Sequence, residues 1–212
     1  MSGVFNPQTA SKKKVMIGLK SQSYSSQFLV SWTMMLNHLW KNDKYEVNVS
    51  QGFSKNQFIS RLQSVGLDVS KPINDQKHFQ GTDYDVFVML DSDILFNPED
   101  ISKLIDLCAT QHDVVSGLYP MDTTHYFVGD ATEKELVKIS DIEKDDKETV
   151  EVLFTGLGFF ACKKKVLDTV PNPYFDNALA EEIGFCKKVR DLGFKVMLCK
   201  ELRVSRELNV VF

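Results

Sequence analysis

The sequence predicts an α/β fold: a mostly parallel central sheet with helices on both faces and a smaller mixed or antiparallel second half. Three observations predict it. Through the first 120 of 212 residues, apolar runs of strand length alternate with segments whose apolar residues recur at helical spacing. One of these runs, Val86-Phe87-Val88-Met89-Leu90, has no polar member, which suits a central parallel strand covered on both faces. Beyond residue 120 the alternation gives way to short apolar segments around a charged insert, "SDIEKDDKE", a solvated loop by default.

Taken in order, residues 1 to 13 read as a flexible arm. Val15 to Leu19 is a strand that breaks into the serine-rich turn "KSQSYSS". Ser25 or Ser26 then caps a helix with Leu29, Trp32, Leu36 and Leu39 on one face. Tyr45 to Val49 is the next strand, Lys55 to Val65 a helix closed by Gly66, and residues 67 to 82 a polar connector. After the central strand, Asn97 and Pro98 form the N-cap and first position of a helix that turns Ile101, Leu104, Ile105 and Cys108 inward. Asp113 to Ser116 is a further strand. In the second half, "ELVKI" and "TVEVLF" predict strands, and "TGLGFFACKKKVLDTV" predicts a glycine turn, a short strand and a short helix. Residues 178 to 192 predict a helix with Ile183, Cys186, Val189 and Leu192 inward, closed by Gly193, before a last strand, Lys195 to Leu198. No linker or repeat divides residues 14 to 212, so one domain is expected.

Composition narrows the function. Lys and Arg number 25 against 29 Asp and Glu, so nothing basic points to nucleic acid. No apolar run approaches the ~20 residues that span a bilayer, and the N-terminus lacks a signal-peptide core, so a soluble cytoplasmic protein is expected. Cys108, Cys162, Cys186 and Cys199 are scattered through apolar runs without paired spacing, as buried free thiols are. The four histidines form no ligand pair at helical spacing.

The chemistry gathers in "DVFVMLDSDILFNPED", residues 85 to 100. Asp91 and Asp93 sit where the apolar strand leaves the sheet, and ligands of open α/β sheets collect outside the carboxyl ends of strands. "KSQSYSS" and "GLYPMD" are polar breaks at that same end. Two carboxylates there repel unless something positive lies between them, and a divalent cation is the usual answer. In extended chain they stand ~6.6 Å apart, at ~3.3 Å per residue, far for one coordination shell. Asp93 is therefore expected to hold the metal directly, with Asp91 acting through water or on a ribose hydroxyl. An isolated Asp-x-Asp is more often a strand end and turn. Its setting after the most apolar strand in the chain is what raises it above that.

"YDVFVMLDSDILFNPEDISKLIDL" with "DVVSGLYP", then "TGLGFFACKKKVLDTV", then "EEIGFCKKVRDLGFKVML" resemble, in that order, motifs of the GT-A class of nucleotide-sugar glycosyltransferases, over residues 14 to 204. The resemblance implies a Rossmann-like GT-A domain, residues 14–120 forming its nucleotide-binding half and 121–212 its acceptor-side half. It implies Mn²⁺ (or Mg²⁺) as cofactor, a UDP-sugar donor, and a glycan or glycoprotein acceptor. Asp91 and Asp93 become the metal and diphosphate motif, with Ser92 between them. Leu19, Lys20 and Ser21 border the base and ribose. Arg61 matches an arginine near the nucleotide-sugar, although a solvated helix arginine would look the same. Gly156 and Gly158 allow close backbone approach to the sugar, as tight packing alone would also require. Glu181 and Glu182 align with the acidic pair that contacts the acceptor and, in inverting members, supplies the catalytic base; a helix N-terminus favours acids in any case. Within the class, the chain's length and its "FNPQTASKKKV" opening resemble the N-terminal domains of chlorovirus capsid-glycosylating proteins. That likeness implies retention of anomeric configuration, capsid glycosylation in the host cytoplasm and a longer multidomain chain.

One departure stands out. Many members carry a histidine ligand after the last strand, whereas "ELRVSRELN" offers Ser205 near that position. A haloacid-dehalogenase-type phosphatase would place its Asp-x-Asp after the first strand. A sugar nucleotidyltransferase would have a glycine-rich loop there, and "KSQSYSS" has no glycine. A non-catalytic nucleotide- or glycan-binding module remains compatible with the spacing.

Overall fold

The computed structural model describes residues 11–120, 125–126, 128–129, 147–175 and 181–207. The elements run β1 (Lys13–Ser21), α1 (Ser26–Lys41), β2 (Tyr45–Phe53), α2 (Gln57–Ser64), β3 (Val86–Asp91), β4 (Ile94–Leu95), α3 (Pro98–Thr110), β5 (Val114–Leu118), β6 (Val128–Gly129), β7 (Thr149–Glu151), β8 (Phe154–Thr155), β9 (Phe159–Lys163), α4 (Lys164–Thr169), α5 (Glu181–Asp191), β10 (Val196–Arg203) and β11 (Ser205–Arg206). Seven strands form the central sheet in the order β2-β1-β3-β9-β5-β10-β7. Strands β2, β1, β3, β5 and β10 run parallel to one another, and β9 and β7 run against them.

Apart from Asp91 at its end, β3 is all apolar and is covered on both faces. Val86, Val88 and Leu90 pack with α1 and α3, while Phe87 and Met89 face α2, the 65–84 connector and α5. This is the side-chain alternation of a strand with no solvent face. Asn97 caps α3, its N–H donating to Asp100 Oδ2 at 2.9 Å with Pro98 at the first position, as expected. Ser25 caps α1, accepting from the Phe28 N–H.

The inward stripe of α1 is Phe28, Met35 and Leu39, with Leu29 exposed, so the face expected from sequence is rotated. Phe28 wins because it stacks on Tyr24 and Trp32 and meets Phe96 edge-on. On α5, Cys186 and Val189 are buried, but Leu192 lies exposed beside Gly193, whose φ of +83° ends the helix there. Strands β2 and β10 run four and five residues beyond their expected ends at Val49 and Leu198, because each finds a parallel neighbour to pair with. "TVEVLF" is split, β7 joining the main sheet and β8 pairing with β6. "ELVKI", most of "SDIEKDDKE" and the first ten residues lie outside the described residues. All four cysteines are buried and free. Among the described residues, no helix is long and apolar enough to cross a membrane.

Candidate functional site

The acidic turn is stitched into the sheet from three directions. The Asp91 N–H donates to the Gly158 carbonyl at 2.9 Å, and the Ser92 N–H to the Lys20 carbonyl at 3.2 Å. Past the turn, β4 pairs with β11, and the Glu207 N–H donates to the Asp93 carbonyl at 2.7 Å. The Glu207 carboxylate in turn accepts from Ser25 Oγ at 2.7 Å, tying this strap to the cap of α1. Asp91 and Asp93 open into a cleft of about 260 Å³. Its walls are residues 20–23 at the end of β1, Gln57 and Ser60 of α2, the 91–93 turn, and Arg206.

Both aspartates meet a guanidinium. Arg206 Nε donates to Asp93 Oδ2 at 2.8 Å, and its guanidinium carbon lies 6.0 Å from the centre of the Tyr119 ring. Burial works against the charge on Arg206, but Asp93 outweighs it and holds the group protonated. Behind Asp91 lies Arg61, only 1% exposed. Arg61 Nε donates to Glu181 Oε2 at 2.9 Å and Nη2 to Glu182 Oε1 at 3.0 Å, while Nη1 and Nη2 stand 3.5 Å from the Asp91 oxygens. Desolvation opposes this charge too, yet Asp91, Glu182 and Glu181 together push its pKa above the ordinary value.

Arg61 reaches so far inward because α2 lies unusually close to the sheet. A Cβ on Gly52 would sit 1.7 Å from the Ser60 carbonyl oxygen, and one on Gly18 2.5 Å from that of Ser64. The Ser60 hydroxyl donates to the Gly52 carbonyl at 2.7 Å, satisfying a buried polar pair in the same contact. Tyr119 is buried beside this cluster, its ring 6.0 Å from the Arg206 guanidinium carbon. Its hydroxyl accepts from the Gly158 N–H at 3.2 Å, and burial, with Asp91 nearby, keeps the phenol protonated.

The residues singled out from sequence thus divide. Lys20, Ser21, Asp91, Ser92 and Asp93 line one cleft. Leu19 points the other way, into the core with α1 and α3. Arg61 is buried behind Asp91 with the half-buried Glu181 and Glu182 against it, so the alternative of a solvated helix arginine is set aside. Gly158 backs onto Asp91, where an added Cβ would come within 3.1 Å of Oδ2. The Gly156 carbonyl accepts from Ser116 Oγ at 3.4 Å. Neither glycine is among the residues lining the cleft. Arg206 and Tyr119 went unremarked in the sequence. The available signals were a basic residue one position past Ser205, and an aromatic within the polar break "GLYPMD".

Asp91 and Asp93 offer carboxylate oxygens, the donors that hard divalent cations take. Among the described residues, no three His, Cys, Asp or Glu side chains converge as a metal cage. The donor set therefore fits a cation that completes its shell with oxygens from water or a ligand.

No family model and no curated protein matches the chain. Solved structures do. A197 from STIV superposes with a TM-score of 0.59 at 19% identity, over 93% of this chain and 86% of that one. GalNAc-T7 with UDP, GalNAc and Mn²⁺ superposes at 0.50 and 11% identity, over 92% of this chain but 43% of that one. What they share with it is the fold. The inositol-1-phosphate CTP transferase from T. maritima, at 12% identity over 94% and 92% of the two chains, reaches a TM-score of 0.46, too low to bear on function. The α/β, Rossmann-like architecture expected from the sequence is the one present.

Proposed function

We propose that this chain is a glycosyltransferase that moves a sugar from a UDP-sugar to a glycan or glycoprotein acceptor with the help of Mn²⁺ or Mg²⁺. The observation that carries the proposal is the pair Asp91 and Asp93 at the carboxyl end of β3, opening into a cleft with Lys20 and Ser21 from the end of β1. That is where open α/β sheets bind nucleotides. The fold shared with GalNAc-T7, a structure holding UDP, GalNAc and Mn²⁺, supports it.

In this proposal Asp93 and Asp91 hold the cation, and Lys20 and Ser21 receive the nucleotide. When bound, the cation offsets charge on the diphosphate as it leaves. Arg61 fixes the Asp91 carboxylate and orients Glu181 and Glu182, whose role is to hold sugar hydroxyls. Transfer then proceeds with retention, the departing diphosphate oxygen taking the acceptor's proton. Proton NMR of the first-formed glycoside checks this: an inverted product would instead make one of the two glutamates the general base.

Calorimetry tests the proposal at its base. UDP binds tightly with Mn²⁺ and weakly in excess chelator; equal affinity in both overturns it. Asp93→Ala lowers the transfer rate by roughly a hundred- to a thousandfold while leaving the melting temperature near that of the parent. Tight UDP binding with no turnover of any UDP-sugar would make the chain a binding module.

A further inference from the structure

Resting on that assignment of the cleft, we infer that Arg206 is an exchangeable counter-ion that couples metal binding to nucleotide binding. Its guanidinium neutralises Asp93 in the unliganded protein and passes to the donor's diphosphate when a divalent cation takes the Asp93 carboxylate.

Four observations lead here. Arg206 and Asp93 line the same cleft, so the guanidinium already lies where a diphosphate would enter. Its contact to Asp93 is a single 2.8 Å bond through Nε, with the Arg206 side chain 28% and the Asp93 side chain 35% exposed. A partly hydrated pair of this kind is worth little net free energy, so either partner is exchanged at small cost. The backbone beneath is held independently of that side-chain bond, by the Arg206–Ile94 and Ser205–Leu95 pairing and by the Glu207 N–H on the Asp93 carbonyl. Arg206 can therefore change partners while the turn stays in place.

The fourth observation is charge. The ionisable groups lining the cleft are Lys20 and Arg206 against Asp91 and Asp93, a balanced set. A diphosphate entering alone meets Lys20, but also two carboxylates and a guanidinium already committed to one of them. A cation entering alone must displace that guanidinium from Asp93. Entering together, each removes the other's obstacle: the cation takes Asp93, and the diphosphate takes Arg206. Arginine suits the second role, because its planar fork matches phosphate oxygens. The consequence is positive coupling, with each ligand raising the other's affinity by the same factor.

The test compares wild type with Arg206→Gln, which keeps the side chain's reach and removes its charge, and with Arg206→Lys, which keeps charge but loses the fork. Binding of Mn²⁺ alone is followed by electron paramagnetic resonance, and binding of UDP with Mn²⁺ or with chelator by calorimetry. Thermal melts confirm folding. In Arg206→Gln, Mn²⁺ alone binds several-fold more tightly, because Asp93 has lost its competitor. UDP with Mn²⁺ binds more weakly by about tenfold, as expected for losing a charge-assisted hydrogen bond. The gain in UDP affinity on adding Mn²⁺ shrinks, and Arg206→Lys falls between. Wild-type protein that binds UDP equally with and without Mn²⁺ overturns the functional assignment. Wild-type coupling that persists undiminished in Arg206→Gln, or Mn²⁺ affinity that falls there, overturns the present inference alone.

Discussion

Arg61 is the residue on which the site turns. A fully buried guanidinium is tolerated only because Glu181, Glu182 and Asp91 surround it, and those three tolerate one another only because it lies between them. Replacing Arg61 with Met keeps most of the volume and leaves three adjacent carboxylates uncompensated. A loss of about 3–5 kcal/mol is expected, read as a lower urea midpoint. Adding Glu181→Gln and Glu182→Gln to Arg61→Met should recover part of that loss. Simple additivity across the three positions would show that the cluster does not act as a unit. The sequence offers Arg61 as a helix arginine but does not carry its burial, because its partners lie 30, 120 and 121 positions away.

At the scale of elements, the seating of α2 decides whether Arg61 reaches Asp91. The helix rests on the backbone of β1 and β2 at Gly18 and Gly52, with only Ser60 and Ser64 between. A methyl group at Gly52 has no room 1.7 Å from a carbonyl oxygen, and no flexible side chain can yield there. Gly52→Ala therefore lifts α2 and costs about 1–3 kcal/mol, as overpacking does, measured by chemical denaturation. It also weakens UDP binding, because Gln57 and Ser60 of the same helix line the cleft. Gly158→Ala makes a gentler contrast. Its Cβ meets the Asp91 carboxylate at 3.1 Å, so it should shift that group and reduce transfer with little change in the melt. The end of α2 was legible in sequence as Gly66, whose φ is +71°. How closely the helix packs was not, because two isolated glycines in or beside strands signal a bulge as readily as a helix contact.

Across the whole molecule, stability should depend on pH through two histidines that do not line the cleft. His78 bonds Asp168 through Nε2 at 2.9 Å and the Tyr84 hydroxyl through Nδ1 at 3.0 Å, joining the connector before β3 to α4. Burial lowers its pKa against the pull of Asp168, and burial likewise lowers that of His112. The unfolded chain therefore takes up protons at higher pH than the folded one. The stabilisation is complete above the ordinary value of 6.5 and is lost as pH falls through it toward the folded values. Asp113 and Asp168, whose pKa values are lowered, act in a separate window below their ordinary 3.8. Urea midpoints at pH 7.5 and 5.5 should show the loss, and His78→Gln should flatten it. An unchanged slope in that variant would remove His78 from the account.

The sequence by itself determined the alternation of strands and helices through residue 120, the cap of α3, the choice of Ser25 or Ser26 as the cap of α1, and an acidic pair held at the end of the most apolar strand. All of these are local. Apolar periodicity reports which residues must leave water, and cap chemistry is complete within a few positions. Only the tertiary structure decided that β9 runs antiparallel between β3 and β5, that Arg61 is buried, and that Arg206 stands against Asp93. A strand's apolar pattern specifies burial but not which neighbour supplies its hydrogen bonds. An arginine on a short helix reads as solvated until its counter-charges are in place. Here those counter-charges arrive from α5 and from the end of β3, and Arg206 reaches the turn from 113 positions away.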